Sequence, residues 1–195
     1  IDRLPDSHKP TIKVASVIGY SFELGLVAQV HPSGLQTGVL RDQAHTLEER
    51  DFIVQDWELA TPANRDTYTF RQLATQEVSY ETLLFTQRRE LHRSLAVLLE
   101  EQTPEAVDQI AYHAYLGEDW TRSLKYHLQS GIQDKQLFAN LQSIEHLRKA
   151  LTSAEHLSLE DTLLQRQQIH VGLGELLLTL GQYDEGQEHL RIALA

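Results

Sequence analysis

The sequence predicts a mainly α-helical chain that carries one small β-hairpin in its N-terminal half and ends in stacked helical hairpins. Over most of the chain, apolar residues recur at spacings of three and four, as they do on one face of a helix. Two runs with β-branched and aromatic residues, 51–57 and 67–70, depart from that spacing and predict the two strands of the β-hairpin. A heptapeptide near residue 145 returns near the C-terminus, which is typical of a repeated structural unit.

Composition narrows the classes of function. The 195 residues are 41% hydrophobic and 23% charged, as in ordinary globular domains, and the absence of methionine indicates a piece of a longer protein. Because the chain has no cysteine, it forms no disulfide and no thiolate metal site, and we expect a reducing, cytoplasmic location. No apolar run approaches the roughly 18 residues of a membrane span. The formal net charge of −11 argues against binding a phosphate backbone, so we expect neither a membrane nor a nucleic acid as partner.

The first part of the chain predicts three short helices followed by the hairpin. A helix from about Thr11 ends at Gly19, which is a natural stop. A second helix covers 22–30 and a third covers 36–50, with a turn cluster between them. A polar loop around Pro62 joins the two strands of the hairpin. Three helices and then a β-hairpin is the element order of a winged helix.

The stretch 70–99 contains no proline or glycine and is rich in strong helix formers. An apolar stripe runs along it, formed by Tyr80, Leu84, Leu91, Leu95 and Leu98. This pattern predicts one long helix that connects two helical parts. The next break in the pattern is at Thr103-Pro104, so we place a winged-helix-like domain with its connecting helix at 1–102 and helical repeats at 103–195.

The repeat is the most specific internal signal. The segment 145–151 (EHLRKAL) returns as 188–194 (EHLRIAL), so that His146 corresponds to His189, 43 positions later. Gly131 and Gly174 share this offset. A repeated helix with a matching upstream glycine predicts helical hairpins that stack, each burying its apolar face on the next.

The last copy resembles a tetratricopeptide repeat. The residues that carry the resemblance are Leu173, Gly174, Leu177, Gly181, Tyr183, Leu190, Ala193 and Leu194. The copy departs from that pattern at His170 and Gly186, and the offset exceeds the usual repeat length of about 34 residues. We assign the additional residues to 158–166, where Ser158 followed by Asp161 predicts an N-cap and a longer first helix in the final hairpin.

In repeats of this kind the first helices of successive hairpins form a concave face, and we expect a protein partner to bind there. In the last hairpin that face would include Gln168, Val171, Glu175 and Leu178. Burial of these four side chains against a neighbouring helix is an equally good interpretation of their spacing.

Several short segments of the first hundred residues form a second combination. They are IDRLP at 1–5, KVASVIG at 13–19 with Phe22, Phe70, QEV at 76–78, YETL at 80–83 and RRELH at 88–92. Together they resemble the region that follows the nucleotide-binding domain in STAND/AAA-type signalling ATPases, which occur fused to class III adenylate or guanylate cyclases or to kinases. The resemblance covers about residues 1–100 and implies a parent protein with an ATPase domain, a winged helix, helical repeats and an effector domain.

The resemblance implies a regulatory segment and not an enzyme. The chain has no G-x-x-x-x-G-K-[ST] motif with which to bind and hydrolyse a nucleotide, so we expect no cofactor. Gln72 stands where the family commonly has a histidine, so it either donates a hydrogen bond to a nucleotide phosphate or simply begins a helix. Arg88, Arg89 and Arg93 form a basic cluster that suits an acidic neighbour such as the ATPase domain.

No residue pattern predicts catalysis or a metal site. The ten histidines form no H-E-x-x-H motif, and no serine lies in a G-x-S-x-G turn. Paired carboxylates such as Glu100-Glu101 are adjacent in a helix and therefore point in different directions, which does not suit acid–base catalysis.

Two functions remain as hypotheses. The first is a non-catalytic regulatory segment of a multidomain signalling ATPase, which relays the nucleotide state and binds a protein partner through its repeats. The alternative is a transcription regulator whose winged helix binds DNA while its repeats sense a ligand. The third helix argues against the alternative, because Arg41 and Arg50 stand beside four acidic residues there.

Overall fold

The computed structural model describes residues 4–56 and 66–194. Over these residues the protein is mainly helical, 73% of it in ten helices, with one small three-stranded antiparallel sheet. The chain divides into two compact units, Ile1–Ser94 and Leu95–Ala195. The division lies within one helix, α5, which runs from Phe85 to Gln102. The boundary that we predicted between residues 102 and 103 coincides with the end of that helix.

The first unit contains seven complete elements and the first half of α5. In chain order they are α1 Lys9–Ile18, β1 Ser21–Glu23, α2 Leu24–Val30, α3 Thr37–Glu49, β2 Ile53–Gln55, β3 Thr67–Phe70 and α4 Leu73–Glu81. The helix α1 begins with Pro10 in its first turn, where a missing amide hydrogen costs nothing, and it ends at Gly19. The three predicted helices of this unit therefore exist, with bounds that differ by a few residues.

The sheet has the order β1–β3–β2, and both pairs of strands are antiparallel. Ile53 of β2 lies opposite Phe70 of β3, so the two predicted runs pair with each other through residues 53–55 and 68–70. Between the two strands, the predicted polar loop around Pro62 falls at 57–65, outside the described residues. The hairpin is thus present, and its second strand occupies the centre of the sheet.

The strand β1 corrects the prediction that a helix begins at Phe22. The residues Ser21–Glu23 form a strand instead, and α2 begins at Leu24. Phe22 lies opposite Tyr68 in the sheet, and the two rings stack with their centroids 6.2 Å apart. The burial of Phe22 on a strand from much later in the chain outweighs its weak local preference for helix.

The core of the first unit collects apolar side chains from α1, α2, α3 and the sheet. Its buried members are Leu4, Ile12, Val14, Ala15, Phe22, Leu24, Val27, Leu40, Ala44, Leu47, Ile53, Tyr68 and Phe70. Every element of the unit up to β3 contributes to this one cluster, so the three-residue strands are fixed by the packing and not by their own propensity.

The prediction of one continuous helix over 70–99 is wrong, because Thr82–Leu84 separate α4 from α5. Side chains stabilise this break on both sides. Gln87 accepts a hydrogen bond from the backbone N–H of Leu84 at 3.1 Å, as in a capping box. Arg88 donates to the carbonyls of Leu83 and Glu81 at 3.0 and 3.1 Å, which satisfies the end of α4.

The second unit consists of helices that pack in succession. After the second half of α5 they are α6 Val107–Leu116, α7 Trp120–Gln136, α8 Asn140–Glu155, α9 Leu159–Thr179 and α10 Tyr183–Ala193. Each helix from α6 onward packs against the next one along the chain. Among the described helices, none combines the length and the apolar composition that crossing a bilayer requires.

The 43-residue offset relates two hairpins, α7–α8 and α9–α10, and it holds for their contacts as well as their sequences. A Cβ on Gly131 would lie 2.9 Å from the side chain of Leu147, and one on Gly174 would lie 2.6 Å from that of Leu190. The missing side chains therefore let a leucine of the second helix approach the backbone of the first. The two hairpins thus share one close glycine–leucine contact at equivalent positions.

The segment 159–166 lies within α9, as predicted, and α9 has 21 residues where α7 has 17, a difference smaller than the nine positions of 158–166. Ser158 is its N-cap, and the hydroxyl accepts a hydrogen bond from the backbone N–H of Asp161 at 3.3 Å. The acidic first turn of α9 also suits the positive end of the helix dipole. These local signals are what the sequence predicted at this point.

Candidate functional site

A groove lies between α7 and α9 in the second unit, with part of α8 at its bottom. Its volume is about 450 Å³, within the range of sites that accept small molecules or short polypeptide segments. The lining comprises Leu128, Gly131, Ile132, Lys135, Gln136, Leu147, Gln168, Val171, Gly172 and Glu175. Apolar side chains thus form much of the surface, and amide and charged groups stand among them.

Three of the four residues predicted to contact a partner line this groove. Gln168, Val171 and Glu175 lie along one face of α9 and are exposed. Leu178 does not line it, because its side chain is half-buried and packs towards α10, where a Cβ on Gly186 would lie 3.0 Å from it. Each of the two interpretations therefore holds for part of this face. Gln168, Val171 and Glu175 are exposed, and Leu178 packs against a neighbouring helix.

The bottom of the groove depends on close packing around Leu147. This side chain is 2% exposed, and it reaches from α8 towards Gly131 on one side and Gly172 on the other. A Cβ on Gly172 would lie 3.0 Å from Leu147 Cδ1. Because both flanking positions are glycines, α7 and α9 can stand either side of the leucine without filling the space above it.

Charge at the groove is balanced across its two walls. Lys135 of α7 forms an ion pair with Glu175 of α9, and both side chains are partly exposed. A second cleft of about 650 Å³ continues along the same two helices, lined by Thr121, Leu124, Lys125, Leu128, Leu157, Ser158, Asp161, Thr162 and Gln165. Leu128 belongs to both linings, so α7 and α9 present a grooved surface along most of their length.

Hydrogen bonds to one carboxylate hold α7 in position. Glu100, on α5, accepts hydrogen bonds from Arg122 at 2.6 Å and from Lys125 and Tyr126 at 2.9 Å. The hydrogen bonds from Lys125 and Arg122 lower the pKa of Glu100 to about 2. The carboxylate is therefore ionised across the physiological range and ties three residues of α7, the helix that forms one wall of the groove, to α5.

Two histidine pairs lie inside the hairpins, at positions that the repeat makes equivalent. The Nδ1 atoms of His127 and His146 are 2.9 Å apart, and those of His170 and His189 are 2.8 Å apart. Each pair joins the two helices of one hairpin. Burial lowers the pKa of His127 to about 3 and also lowers the pKa of His170, and the facing histidine adds to both effects.

The predicted basic cluster on α5 is divided by local contacts. The guanidinium of Arg88 caps α4 as described above and also stands 4.8 Å from the centre of the Tyr80 ring. Arg89 lies 5.9 Å from the centre of the Phe85 ring, and Arg93 is exposed on the same helix. Arg88 therefore has a structural role, and Arg89 is half-buried beside Phe85.

Gln72 is the N-cap residue of α4. Its backbone is extended, and its carbonyl accepts hydrogen bonds from the N–H groups of Thr75 and Gln76 at 3.0 and 3.4 Å. This is the position that the simpler interpretation assigned to it, the start of a helix. The side chain is exposed and so remains open to a partner.

Cationic groups that a DNA-binding surface would use are tied to acidic neighbours in the first unit. Arg41 of α3 donates to Asp66 at 2.6 and 2.9 Å. Arg71 lies 3.3 Å from Asp51. These ion pairs reduce the positive charge that α3 and the sheet can offer to phosphates.

Over residues 4–56 and 66–194, no three histidine or carboxylate side chains are grouped so that they could hold a metal ion. Comparison with protein-family models, with curated protein sequences and with solved structures gives no match for this chain.

Several residues of these sites were not foreseen from the sequence. Leu147, Lys135 and Gly172 complete the groove, but their roles depend on how three helices meet. The histidine pairs had a visible signal: His127 and His170 are separated by the same 43 positions as His146 and His189. Extending the repeat to those two histidines would have pointed to both pairs.

Proposed function

We propose that this chain is a non-catalytic, protein-interaction segment, in which the groove between α7 and α9 binds a short stretch of a partner polypeptide. The observation that carries the proposal is the groove itself, with its apolar bottom at Leu147 and the exposed residues Gln168, Val171 and Glu175 on one wall. Apolar surface supplies affinity for a peptide, and amide side chains at the rim can bond its backbone.

The parent protein that we propose is a signalling ATPase of the STAND/AAA type. In its support, the first unit has the order helix, strand, two helices and two strands, which is that of a winged helix. The second unit has repeated hairpins with small residues at their closest approach, as tetratricopeptide-like repeats do. In this proposal the first unit contacts the ATPase domain, with Arg89 and Arg93 facing acidic groups and Gln72 near the nucleotide. The repeats bind the partner, in the cytoplasm.

The groove can be tested with a library of random peptides displayed on phage and selected against the whole chain. We expect selected peptides to bind with Kd values on the order of 10 μM, as short segments do in shallow grooves. The substitution Val171→Glu should weaken that binding at least tenfold, because it places a charge among the apolar residues of the wall. Binding is measured by fluorescence polarisation of the synthetic peptides.

The matched control is Leu164→Glu. Leu164 is on the same helix and is 76% exposed, but it lines neither the groove nor the second cleft. The control should bind like the parent chain. Failure to select any peptide, or equal binding by Val171→Glu, would contradict the proposal. Retardation of duplex DNA by the chain in a low-salt gel would favour the transcription regulator instead.

A further inference from the structure

The two histidine pairs, His127–His146 and His170–His189, do not line the groove. Each pair stands inside one hairpin, and the two pairs share the 43-residue offset of the repeat. One such contact could be accidental, but two equivalent contacts at hydrogen-bond distance indicate a property of the repeated unit. His127 is almost completely buried, and its three companions are half-buried.

The rings approach each other head-on, nitrogen to nitrogen. Their centroids are 5.1 Å apart in both pairs, while the two Nδ1 atoms are 2.9 and 2.8 Å apart. This is the arrangement of an N–H···N hydrogen bond, in which one ring carries the proton and the other offers its lone pair. A metal ion would need both lone pairs to converge on a third point, which a head-on approach does not provide.

The surroundings of His127 fix the direction of its hydrogen bond. Within the described part of the chain, its Nε2 atom is buried and has no hydrogen-bond partner. An unpaired N–H there would cost more than an unpaired lone pair, so the proton belongs on Nδ1, which donates to His146. The Nε2 of His146 then carries a proton and faces Asp134 at 3.8 Å.

Charged groups on α6, α7 and α8 face the first pair. Asp134 of α7 stands near His146, Asp108 of α6 and Glu145 of α8 favour a charged His127, and Lys149 of α8 disfavours it. Tyr115 of α6 meets the His127 ring edge to face at 5.7 Å.

The second pair is surrounded in a comparable way. Glu185 of α10 stands 3.9 Å from His189 Nε2. Near His170, Arg166 of α9 disfavours a positive charge and Glu155 of α8 favours it.

We propose that the two histidine pairs are an acid-sensitive latch, which holds each hairpin closed while its rings share one proton and releases it when both rings become protonated. Two protonated rings present N–H groups to each other, so the hydrogen bond is lost and two positive charges repel inside the hairpin. Accepting a single extra proton is also costly for the first pair, because the proton either occupies the lone pair of His146 Nδ1 that accepts the hydrogen bond or goes to the buried Nε2 of His127.

The sign of the effect follows from linkage. The folded pKa of His127 is about 3, whereas an unfolded histidine has a pKa of about 6.5. The latch therefore contributes its full stability above about pH 6.5 and loses it progressively as the pH falls towards 3. Each proton taken up on unfolding raises the unfolded-to-folded ratio about tenfold per pH unit.

The test measures proton uptake on unfolding in the whole chain. Urea unfolding of the second unit is followed between pH 7.5 and 5 in the parent and in the double variants His127→Gln/His146→Gln and His170→Gln/His189→Gln. Glutamine keeps a donor and an acceptor but does not titrate. We expect the slope of log K for unfolding against pH to fall by up to one proton in each double variant, since the pKa of one histidine in each pair is lowered.

Other buried histidines require a difference measurement with a control. Burial also lowers the pKa values of His31 and His113, so the parent is acid-sensitive for more than one reason. The matched control is His156→Gln, since His156 is exposed and stacks on Trp120 at 4.0 Å instead of facing a histidine. This control should leave the slope unchanged. An unchanged slope in both double variants would overturn the proposal.

Histidine side-chain NMR of the folded parent keeps the test decisive if a double variant does not fold. We expect His127 to be protonated at Nδ1 at pH 7.5 and to remain neutral at pH 5. Titration of His127 in the folded state near the ordinary value of about 6.5 would contradict the latch. Loss of the latch without any change in peptide binding at pH 7.5 would leave the groove proposal standing, so the two can fail separately.

Discussion

The hairpins α7–α8 and α9–α10 have equivalent interiors but different boundaries. Inside, each has a glycine opposite a leucine and a histidine facing a histidine. At the boundaries, Glu100 ties α7 to α5 through Arg122, Lys125 and Tyr126. The equivalent positions of α9 are Gln165, Gln168 and Ile169, which offer no cation. The interior contacts thus define the unit, while the outer positions adapt each copy to its neighbours.

The turns of the two hairpins differ in the residue that adopts the left-handed backbone conformation. In α9–α10 the residue with a left-handed backbone is Gly181, at φ +77°. The equivalent residue of α7–α8 is Phe138, at φ +59°, with 87% of its surface exposed. A side chain at such a φ is strained, and glycine is the usual choice. The first hairpin therefore keeps a strained, exposed aromatic residue where the second uses the relaxed one.

The largest expected effect tests whether the two interiors are equally important. Leu147→Ala should lower the free energy of unfolding of the second unit by about 3 kcal/mol, because this leucine is fully buried between two helices. Leu190→Ala should cost roughly 1 kcal/mol less, since Leu190 is half-buried. Urea denaturation followed by circular dichroism measures both. Equal losses would mean that the second hairpin is covered as completely as the first.

The second largest effect concerns the hydrogen bonds that join Glu100 of α5 to α7. Glu100→Gln should lower stability at pH 7 by about 1 to 2 kcal/mol, a value reduced to allow for the partial exposure of the carboxylate. Because the folded pKa of Glu100 is about 2, its contribution is present above the ordinary glutamate value near 4.5 and is lost as the pH falls towards 2. Denaturation curves of parent and variant should therefore converge at low pH. A difference that persists unchanged at pH 2 would show that packing, and not charge, is responsible.

The smallest effect concerns the turns. Phe138→Gly should raise stability by about 1 kcal/mol, since it relieves the left-handed strain. Gly181→Ala should lower stability by a similar amount, about 1 kcal/mol, because it introduces the same strain in the other hairpin. Thermal unfolding of the two variants beside the parent gives the comparison. A destabilised Phe138→Gly would mean that the phenylalanine makes a contact worth more than its backbone strain.

Features that depend on only a few neighbouring residues were predicted correctly from the sequence. The N-cap at Ser158 and the lengthened α9 follow from side chains within three residues of each other. Strand β1 was not predictable in this way, since three residues carry no period and Phe22 is buried by Tyr68 from much later in the chain. The break between α4 and α5 was also hidden, because Gln87 and Arg88 are good helix formers that here act as caps.

The groove shows the same limit for a candidate binding site. The helical period placed Gln168, Val171 and Glu175 on one face of α9, because such a face is a property of one helix. The period could not say that Leu178 packs against Gly186, since that contact depends on the angle between α9 and α10. Partners on other helices, such as Leu147, could be found only once those helices were brought together.

The central place of β3 in its sheet has a consequence for biosynthesis. Ser21 of β1 pairs with Thr69 of β3, and Phe70 of β3 pairs with Ile53 of β2. A nascent chain emerging from the ribosome therefore cannot complete the sheet of the first unit until Phe70 has been synthesised. Until then Phe22 lacks the surface that buries it. An intermediate with such exposed apolar surface is prone to misassembly and to binding by chaperones. The helical hairpins close on near neighbours in the chain and should form quickly once synthesised. The earlier-made unit is therefore expected to be the slower of the two to mature.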